Sequence, residues 1–319
     1  MHDSDHIHDP AVARYRTMRL SRRFEETVHE QFDAGNVPGP LHLSIGQEAV
    51  AVGVCSDLRT TDVVLSTHRG HHHCLAKGAA PDRMMAELLG RTAGYSRGRG
   101  GSMHVAVPSI GLLGTNGIVG GGIPIATGAA YGMQVQRRDD VAICFFGEGA
   151  AATGGFGEAL NLASLWRLPL VFVCENNQYV EMTPQSLHVA GQIWRRGEGY
   201  DVPGVRIDGN DVDEVAAATA EAVRRAREGG GPTLIEAVTF RWFGHYAGDK
   251  AAFRSEEEVE AGRAGDPLVV ARARLAEADA AAADASAEAE IQAALAFALD
   301  TPITGPDVLA LDHYTPVTA

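Results

Sequence analysis

Between residues 10 and 35 apolar side chains return every four positions, at Leu20, Phe24, Val28 and Phe32, with Tyr15 and Met18 ahead of them. That spacing predicts a helix with one buried face. Gly35, Pro38, Gly39 and Pro40 then break it. A second helix is expected over 47–58 and another over 81–89, where Pro81 suits the first turn. Between them, the short apolar run 63–66 reads as a strand leading into 67–73. Residues 94–122 are rich in glycine and poor in long apolar runs, which predicts a long loop, and such loops inside compact domains tend to carry function.

The pattern is sharpest after that loop. Residues 141–146 are continuously apolar, as expected of a strand buried on both faces. Residues 156–166 have helical spacing, with Phe156, Leu160 and Ala163 on one face, and Pro169 stops the helix. Residues 170–174 form a second buried strand. Strand, helix and strand in this order give a parallel pair joined by a right-handed crossover. A further unit follows, with strands at 204–207 and 233–239 around a helix at 212–227. The predicted class is α/β: an open, mostly parallel sheet with helices on both faces. Beyond Lys250 the chain turns charged and Ala-rich up to Leu299, which predicts one or two peripheral C-terminal helices with little core, then a polar tail after Pro302. The expected division is a disordered tail over 1–11, one α/β domain over 12–250, and a helical extension and tail over 251–319.

Charge narrows the function. The net charge is −14 with only 27 Lys and Arg, so nucleic-acid binding is not the main job. An anionic ligand needs a locally positive site or a metal. No run of about 20 apolar residues exists to span a membrane. The polar start, rich in Asp and His, lacks the build of a secretory signal. Cys55, Cys74, Cys144 and Cys174 form no CxxC pair and are expected to be reduced and mostly buried, which fits a cytoplasmic protein.

In open parallel sheets ligands sit beyond the carboxyl ends of the strands. Glu148 and Asn177 both lie just past such ends, one crossover apart, and neighbouring strands are only about 4.8 Å apart. Their oxygens, with the main-chain carbonyl of Tyr179, suit a hard cation such as Mg²⁺ or Ca²⁺ that keeps open positions for a phosphate or diphosphate. Two other patterns point elsewhere and are weaker. Gly94-Tyr95-Ser96-Arg97-Gly98 matches GxSxG, but a nucleophile elbow must leave a strand and open a helix, and here a helix precedes it. His71-His72-His73-Cys74 suggests zinc, but consecutive residues do not face one point.

The segments GEG (147–149), NLASLWRLP (161–169) and ENNQY (175–179) resemble the thiamine-diphosphate signature, GDG followed about thirty residues later by NN, as found in the α subunits of dehydrogenase E1 components. The resemblance extends to IGQEAVAVGVC (45–55), HRGHHHCLAKG (68–78), GRGGSMH (98–104), TNGIVGGGIP (115–124) and FRWFGHYAGD (240–249), covering roughly residues 12–260. HRGH, NGIVGGGIP and DGND (208–211) lean toward the acetoin branch. Glu148 stands where the family has Asp, and Ala152 where many relatives carry Asn.

The resemblance implies thiamine diphosphate and Mg²⁺ as cofactors. It implies that His68, Arg69 and backbone groups at Gly149 and Ala150 meet the diphosphate, that Asn177 and Glu148 hold the ion, and that the backbone of Gly117 and Val119 holds the aminopyrimidine. It assigns His71 and His245 to the catalytic site and leaves Glu48 structural or interfacial. The glutamate that protonates the pyrimidine belongs to a β subunit, so an α2β2 assembly and a lipoyl-bearing acyltransferase are the implied partners. Acetoin, pyruvate or a branched 2-oxo acid is the implied substrate class, and an acyloin-forming carboligase is the alternative.

Overall fold

The computed structural model describes residues 9–306. In chain order they form α1 (Pro10–Asp33), α2 (Glu48–Cys55), β1 (Val63–Leu65), α3 (His71–Ala76), α4 (Pro81–Leu88), β2 (Leu112–Gly114) and α5 (Gly122–Val135). Next come β3 (Ala142–Gly147), α6 (Glu148–Ala151), α7 (Gly154–Leu165), β4 (Leu170–Asn176), β5 (Tyr179–Val180) and β6 (Thr183–Pro184). The chain continues with β7 (Gly204–Asp208), α8 (Val212–Arg227), β8 (Thr233–Val238), α9 (Glu256–Arg263), α10 (Pro267–Arg272) and α11 (Glu277–Asp300).

Six strands form one sheet in the order β2-β1-β3-β4-β8-β7, and every pairing is parallel. Alternate strand residues feed two cores. Ile143, Phe145, Val171, Val173 and Ile235 face the side covered by α1, α2, α4, α8 and α11, whereas Cys144, Phe146, Leu170, Phe172 and Leu234 face α5 and α7. Both faces are therefore covered, which is why the central strands read as unbroken apolar runs. In register, Gly147 lies opposite Glu175 and Asn176 opposite Val238, so three strands end level and their following residues share one crevice.

The predicted parallel sheet and its helices are present. Several elements escaped the sequence pattern, among them the short α6, β5 and β6, and three C-terminal helices stand where one or two were expected. α5 hides behind Gly122, Pro124, Gly128 and Gly132, and its buried stripe sets the small Gly122, Ala126, Thr127 and Ala130 between Ile123 and Met133. α3 is only six residues long, and β2 is a three-residue edge strand inside the glycine-rich stretch. The start also differs from expectation: α1 begins at Pro10 with Asp9 as its N-cap, so the tail predicted over 1–11 does not reach residues 9–11, and residues 1–8 lie outside the described part.

The C-terminal extension is more than peripheral. α11 buries Ala280, Ala283, Ala287, Ile291, Ala294 and Ala298 against α1 and α4, a small-residue face that lets helices approach closely. Arg16, Arg19 and Arg23 of α1 pair with Glu290, Asp284 and Glu288 of α11. Ile303 bridges to Arg91. Of the polar tail expected after Pro302, residues 307–319 lie outside the described part. Among the described residues no helix is long and apolar enough to cross a membrane.

Two buried carboxylates fix the loops that frame the crevice. Glu87 accepts main-chain N–H bonds from Ser96, Gly98, Gly100 and Gly101, which folds the GxSxG stretch into a clamped loop rather than a nucleophile elbow. Glu48, fully buried, binds the Arg22 guanidinium at 2.5 Å and the N–H of Gly46 at 3.1 Å, which settles its role as structural. Gly46 sits at φ +97°, and a Cβ there would lie 2.4 Å from Trp242. We expect Arg22→Met to strand Glu48 in the core and cost about 3–5 kcal/mol, with Arg22→Met/Glu48→Met recovering much of it. Denaturant unfolding of the two variants measures this, and equal losses in both would contradict the pairing.

Candidate active site

Beyond the carboxyl ends of β1, β3 and β4 lies a cavity of about 230 Å³. Its wall includes Thr67, His68 and Arg69 after β1, Glu148, Gly149 and Ala150 after β3, and Asn177 and Tyr179 after β4. Further lining comes from Asn116, Ile118, Val119 and Gly120, from Glu175 at the end of β4, from Val180 and Glu181, and from Arg241 and His245 after β8.

The two strand tips meet as their spacing requires. The carboxylate of Glu148 accepts the N–H of Asn177 at 3.2 Å, and the side-chain carbonyl of Asn177 accepts the N–H of Tyr179, also at 3.2 Å. The other asparagine of the pair shapes the turn: Asn176 donates to Glu236 at 2.7 Å and accepts from Gln178. Gln178 and Glu181 sit at φ +70° and +56°, the strained turn that folds β5 back over α6. Gly149 is required by this fold-back, since a Cβ there would lie 2.8 Å from Val180.

Charge in the cavity is unbalanced in a specific way. Glu148 is buried, and its partner across the crevice is the main-chain N–H of Asn177 rather than a cationic side chain. Burial pushes its carboxyl up to about 7. Arg69 and Arg241 are buried as well, at 4% and 2% exposure. Their guanidinium partners are main-chain carbonyls: Leu43 and His245 for Arg69, Phe243 and Glu181 for Arg241. Burial pulls Arg69 down to about 10 and Arg241 down to about 9. Among the described residues, the cavity thus carries three carboxylates, Glu148, Glu175 and Glu181, of which Glu148 is buried without a directly paired cation, beside two buried cations that lack a directly hydrogen-bonded anion. A metal-bound diphosphate would neutralise it on both counts. The oxygen-only donors at the strand tips suit Mg²⁺.

Two imidazoles, His68 and His245, line the cavity, and His42 packs against both. Burial, reinforced by Arg69, pushes His42 down to about 3, His68 to about 2 and His245 to about 4, so all are neutral at physiological pH. The segment carrying His245 is pinned: its N–H donates to Asp249 at 2.6 Å, and Arg254 caps the carbonyls of Arg241, Trp242 and Phe243.

The cavity gathers His68, Arg69, Val119, Glu148, Gly149, Ala150, Asn177, Tyr179 and His245, as the sequence predicted. Two predicted residues are placed elsewhere. His71 is fully buried in the wall, with Nδ1 3.1 Å from Glu25 and Nε2 3.0 Å from Ser102. Both ring nitrogens are committed, so it orients the glycine-rich loop and does not face a substrate. Gly117 is exposed beside His104, while its neighbours Asn116 and Ile118 line the cavity. His72 and His73 of the HHHC run are buried too, His73 stacked on Phe145 at 3.8 Å, so the run makes no zinc site. All four cysteines are buried and unpaired, as expected, and burial pushes the Cys55 thiol up to about 12.

Sequence reasoning missed Arg241 and His42. Arg241 follows the end of β8 by three residues, so the strand-tip rule that selected Glu148 and Asn177 applies to it equally. His42 had no such signal; it comes from an irregular segment that the pattern does not place.

A family model of the dehydrogenase E1 component matches residues 16–306. The chain is 48% identical over 251 residues to the α subunit of acetoin:2,6-dichlorophenolindophenol oxidoreductase of Bacillus subtilis, covering 78% of this chain and 75% of that one. It is 45% identical to the subunit of the same name from Cupriavidus necator, at the same coverage. It is 44% identical over 262 residues to the pyruvate dehydrogenase E1 component subunit α of Porphyra purpurea, covering 80% and 76%. With the strand-tip cavity and these matches together, the chain belongs to the dehydrogenase E1 component family.

Proposed function

We propose that this chain is the α subunit of a thiamine-diphosphate-dependent E1 dehydrogenase, acting on acetoin or a 2-oxo acid and passing the acyl group to a lipoyl-bearing acyltransferase. The observation that carries this is the convergence in one cavity of Glu148, Arg69 and Arg241, all buried and none of them in a direct ion pair. Membership of the E1 family implies the cofactor, and the relatives named for acetoin and for pyruvate frame the substrate class.

In this reading Glu148, the side-chain oxygen of Asn177 and the carbonyl of Tyr179 hold Mg²⁺. Arg69, Arg241, His68 and the N–H groups of Gly149 and Ala150 receive the diphosphate. The segment around Val119 supports the aminopyrimidine ring. Bound there, the cofactor supplies the carbon nucleophile that opens the bond beside a carbonyl. His245, held neutral, can donate or accept a proton at the substrate oxygen.

A β subunit completes the site. Ile118 and Val119 at the cavity rim are 74% and 61% exposed, and Ile125, Tyr131 and Val135 of α5 are also exposed, with Leu165 and Trp166 at the end of α7. Gly128 and Gly132 on the same helix have no neighbour within 4 Å of an added Cβ, which leaves room for a close-packed partner.

Co-expression with a candidate β chain, followed by artificial-acceptor reduction with acetoin, pyruvate or 2-oxoisovalerate, tests the proposal. The expected result is no turnover by this chain alone and Mg²⁺- and cofactor-dependent turnover of at least one substrate by the complex. Turnover by this chain alone, or a cofactor-loaded complex inert toward all three, would contradict it.

A further inference from the structure

His42, His68 and His245 come from three separate parts of the chain, and one ligand nitrogen from each lies within 4.8 Å of the others. Their ring centroids are 4.9, 5.1 and 5.5 Å apart. Three imidazoles on one tetrahedral zinc, with Zn–N near 2.0–2.1 Å, place their centroids about 5.2 Å apart. The rings meet at 81°, 75° and 47°, so they do not stack on one another. Nδ1 of His42 and Nδ1 of His245 are buried without a hydrogen-bond partner. A buried polar nitrogen in that condition is costly, and three imidazoles around one point call for a common ligand.

We propose that His42, His68 and His245 form a site for a borderline transition-metal ion, Zn²⁺ by preference, at the edge of the cavity that His68 and His245 line. Imidazole nitrogen suits zinc, whereas Glu148 and the carbonyl oxygens of Asn177 and Tyr179 suit magnesium, so the two ions do not compete for one set of ligands. Three protein ligands leave a fourth position open to water. Arg69 and Arg241 lie close by and weaken the site by repulsion, while Glu181 and Asp249 offset part of this at His245. An ion here would engage His245, assigned to the substrate oxygen, and His68, assigned to the diphosphate, so zinc acts as an inhibitor competing with both substrate and cofactor. That consequence rests on the function proposed above; the binding of the ion does not.

Co²⁺ is the probe. The full chain is used with His2, His6 and His8 replaced by serine, so that the N-terminal imidazoles contribute nothing, and with Mg²⁺ in excess. Nitrogen-bound tetrahedral cobalt absorbs strongly in the visible, whereas cobalt on oxygen donors is six-coordinate and absorbs weakly. The expected result is one equivalent of strongly absorbing Co²⁺ per chain, displaced by Zn²⁺, with affinity falling by about tenfold or more for each of His42→Gln, His68→Phe and His245→Gln. Thermal melts of each variant separate loss of fold from loss of ligand. Only a weak six-coordinate spectrum, or strong binding unchanged in all three folded variants, overturns the proposal. Mg²⁺-dependent thiamine-diphosphate binding, followed on the complex with neither cobalt nor zinc present, succeeds or fails independently of the cobalt spectrum.

Discussion

Replacing Glu148 by Gln is expected to abolish Mg²⁺-dependent cofactor binding while making the metal-free protein more stable. The substitution keeps the oxygen that accepts the Asn177 N–H and removes only the charge. Without that charge the ion loses its one anionic protein ligand, and activity of the complex should fall by more than about a hundredfold, in line with the loss of a charged metal ligand. The stability effect has the opposite sign because the carboxyl stands near 7 in the fold instead of its ordinary 4.5. A raised carboxyl favours the protonated form, so in the metal-free protein this contribution is fully present below pH 4.5 and is lost as pH rises through 7. Above pH 7 the ionised group therefore costs on the order of 3 kcal/mol, which Glu148→Gln removes. Thermal melts of the metal-free chain at pH 5 and pH 8 should show Glu148→Gln raising Tm at pH 8 and much less at pH 5. An equal shift at both pH values would mean that the carboxylate is already neutralised within the chain. The same proton makes Mg²⁺ affinity fall as pH drops below 7, since the carboxyl must ionise to bind the ion.

Arg241→Met carries the second large effect. The guanidinium is almost wholly buried and donates to Phe243 O at 3.1 Å and Glu181 O at 2.7 Å. Its loss takes the guanidinium donor from the Glu181 carbonyl, costing about 1–3 kcal/mol at most, while Phe243 O keeps its bond from Arg254 at 2.6 Å, and it removes one of two cations facing the proposed diphosphate site. Cofactor affinity should fall about a hundredfold, the scale of one lost charge-assisted contact of near 3 kcal/mol. Arg241→Lys should recover part of the affinity, because an ammonium keeps the charge but not the planar fork that spans both carbonyls. Calorimetric titration of thiamine diphosphate into the αβ complex measures all three proteins. Unchanged affinity in Arg241→Met would remove Arg241 from the binding site.

Much of this was legible in the chain because parallel strands buried on both faces leave plain apolar runs, and their carboxyl ends locate the crevice. Glu148, Asn177 and Tyr179 needed nothing more than that rule. What escaped it shares a physical cause. α5 is built on glycine and alanine, whose burial leaves little periodicity of bulk. α11 looked solvated because its buried face is alanine rather than leucine, although it closes one side of the core. His71 sits in a matched motif, yet motif membership does not tell a residue that lines a cavity from one that stands behind it; only its bonds to Glu25 and Ser102 do. His42 and Arg241 reach the site through irregular segments, for which hydrophobic spacing offers no coordinate.

The proposed chemistry depends on a cation held between the tips of β3 and β4. Anomalous scattering from crystals of the αβ complex loaded with Mn²⁺ and thiamine diphosphate locates that ion directly. The predicted result is one Mn²⁺ per chain within about 2.2 Å of a Glu148 carboxylate oxygen and the Asn177 side-chain oxygen, with the diphosphate turned toward Arg69 and Arg241. Manganese elsewhere in a cofactor-loaded complex, with Glu148 left bonded only to the Asn177 N–H, would contradict it.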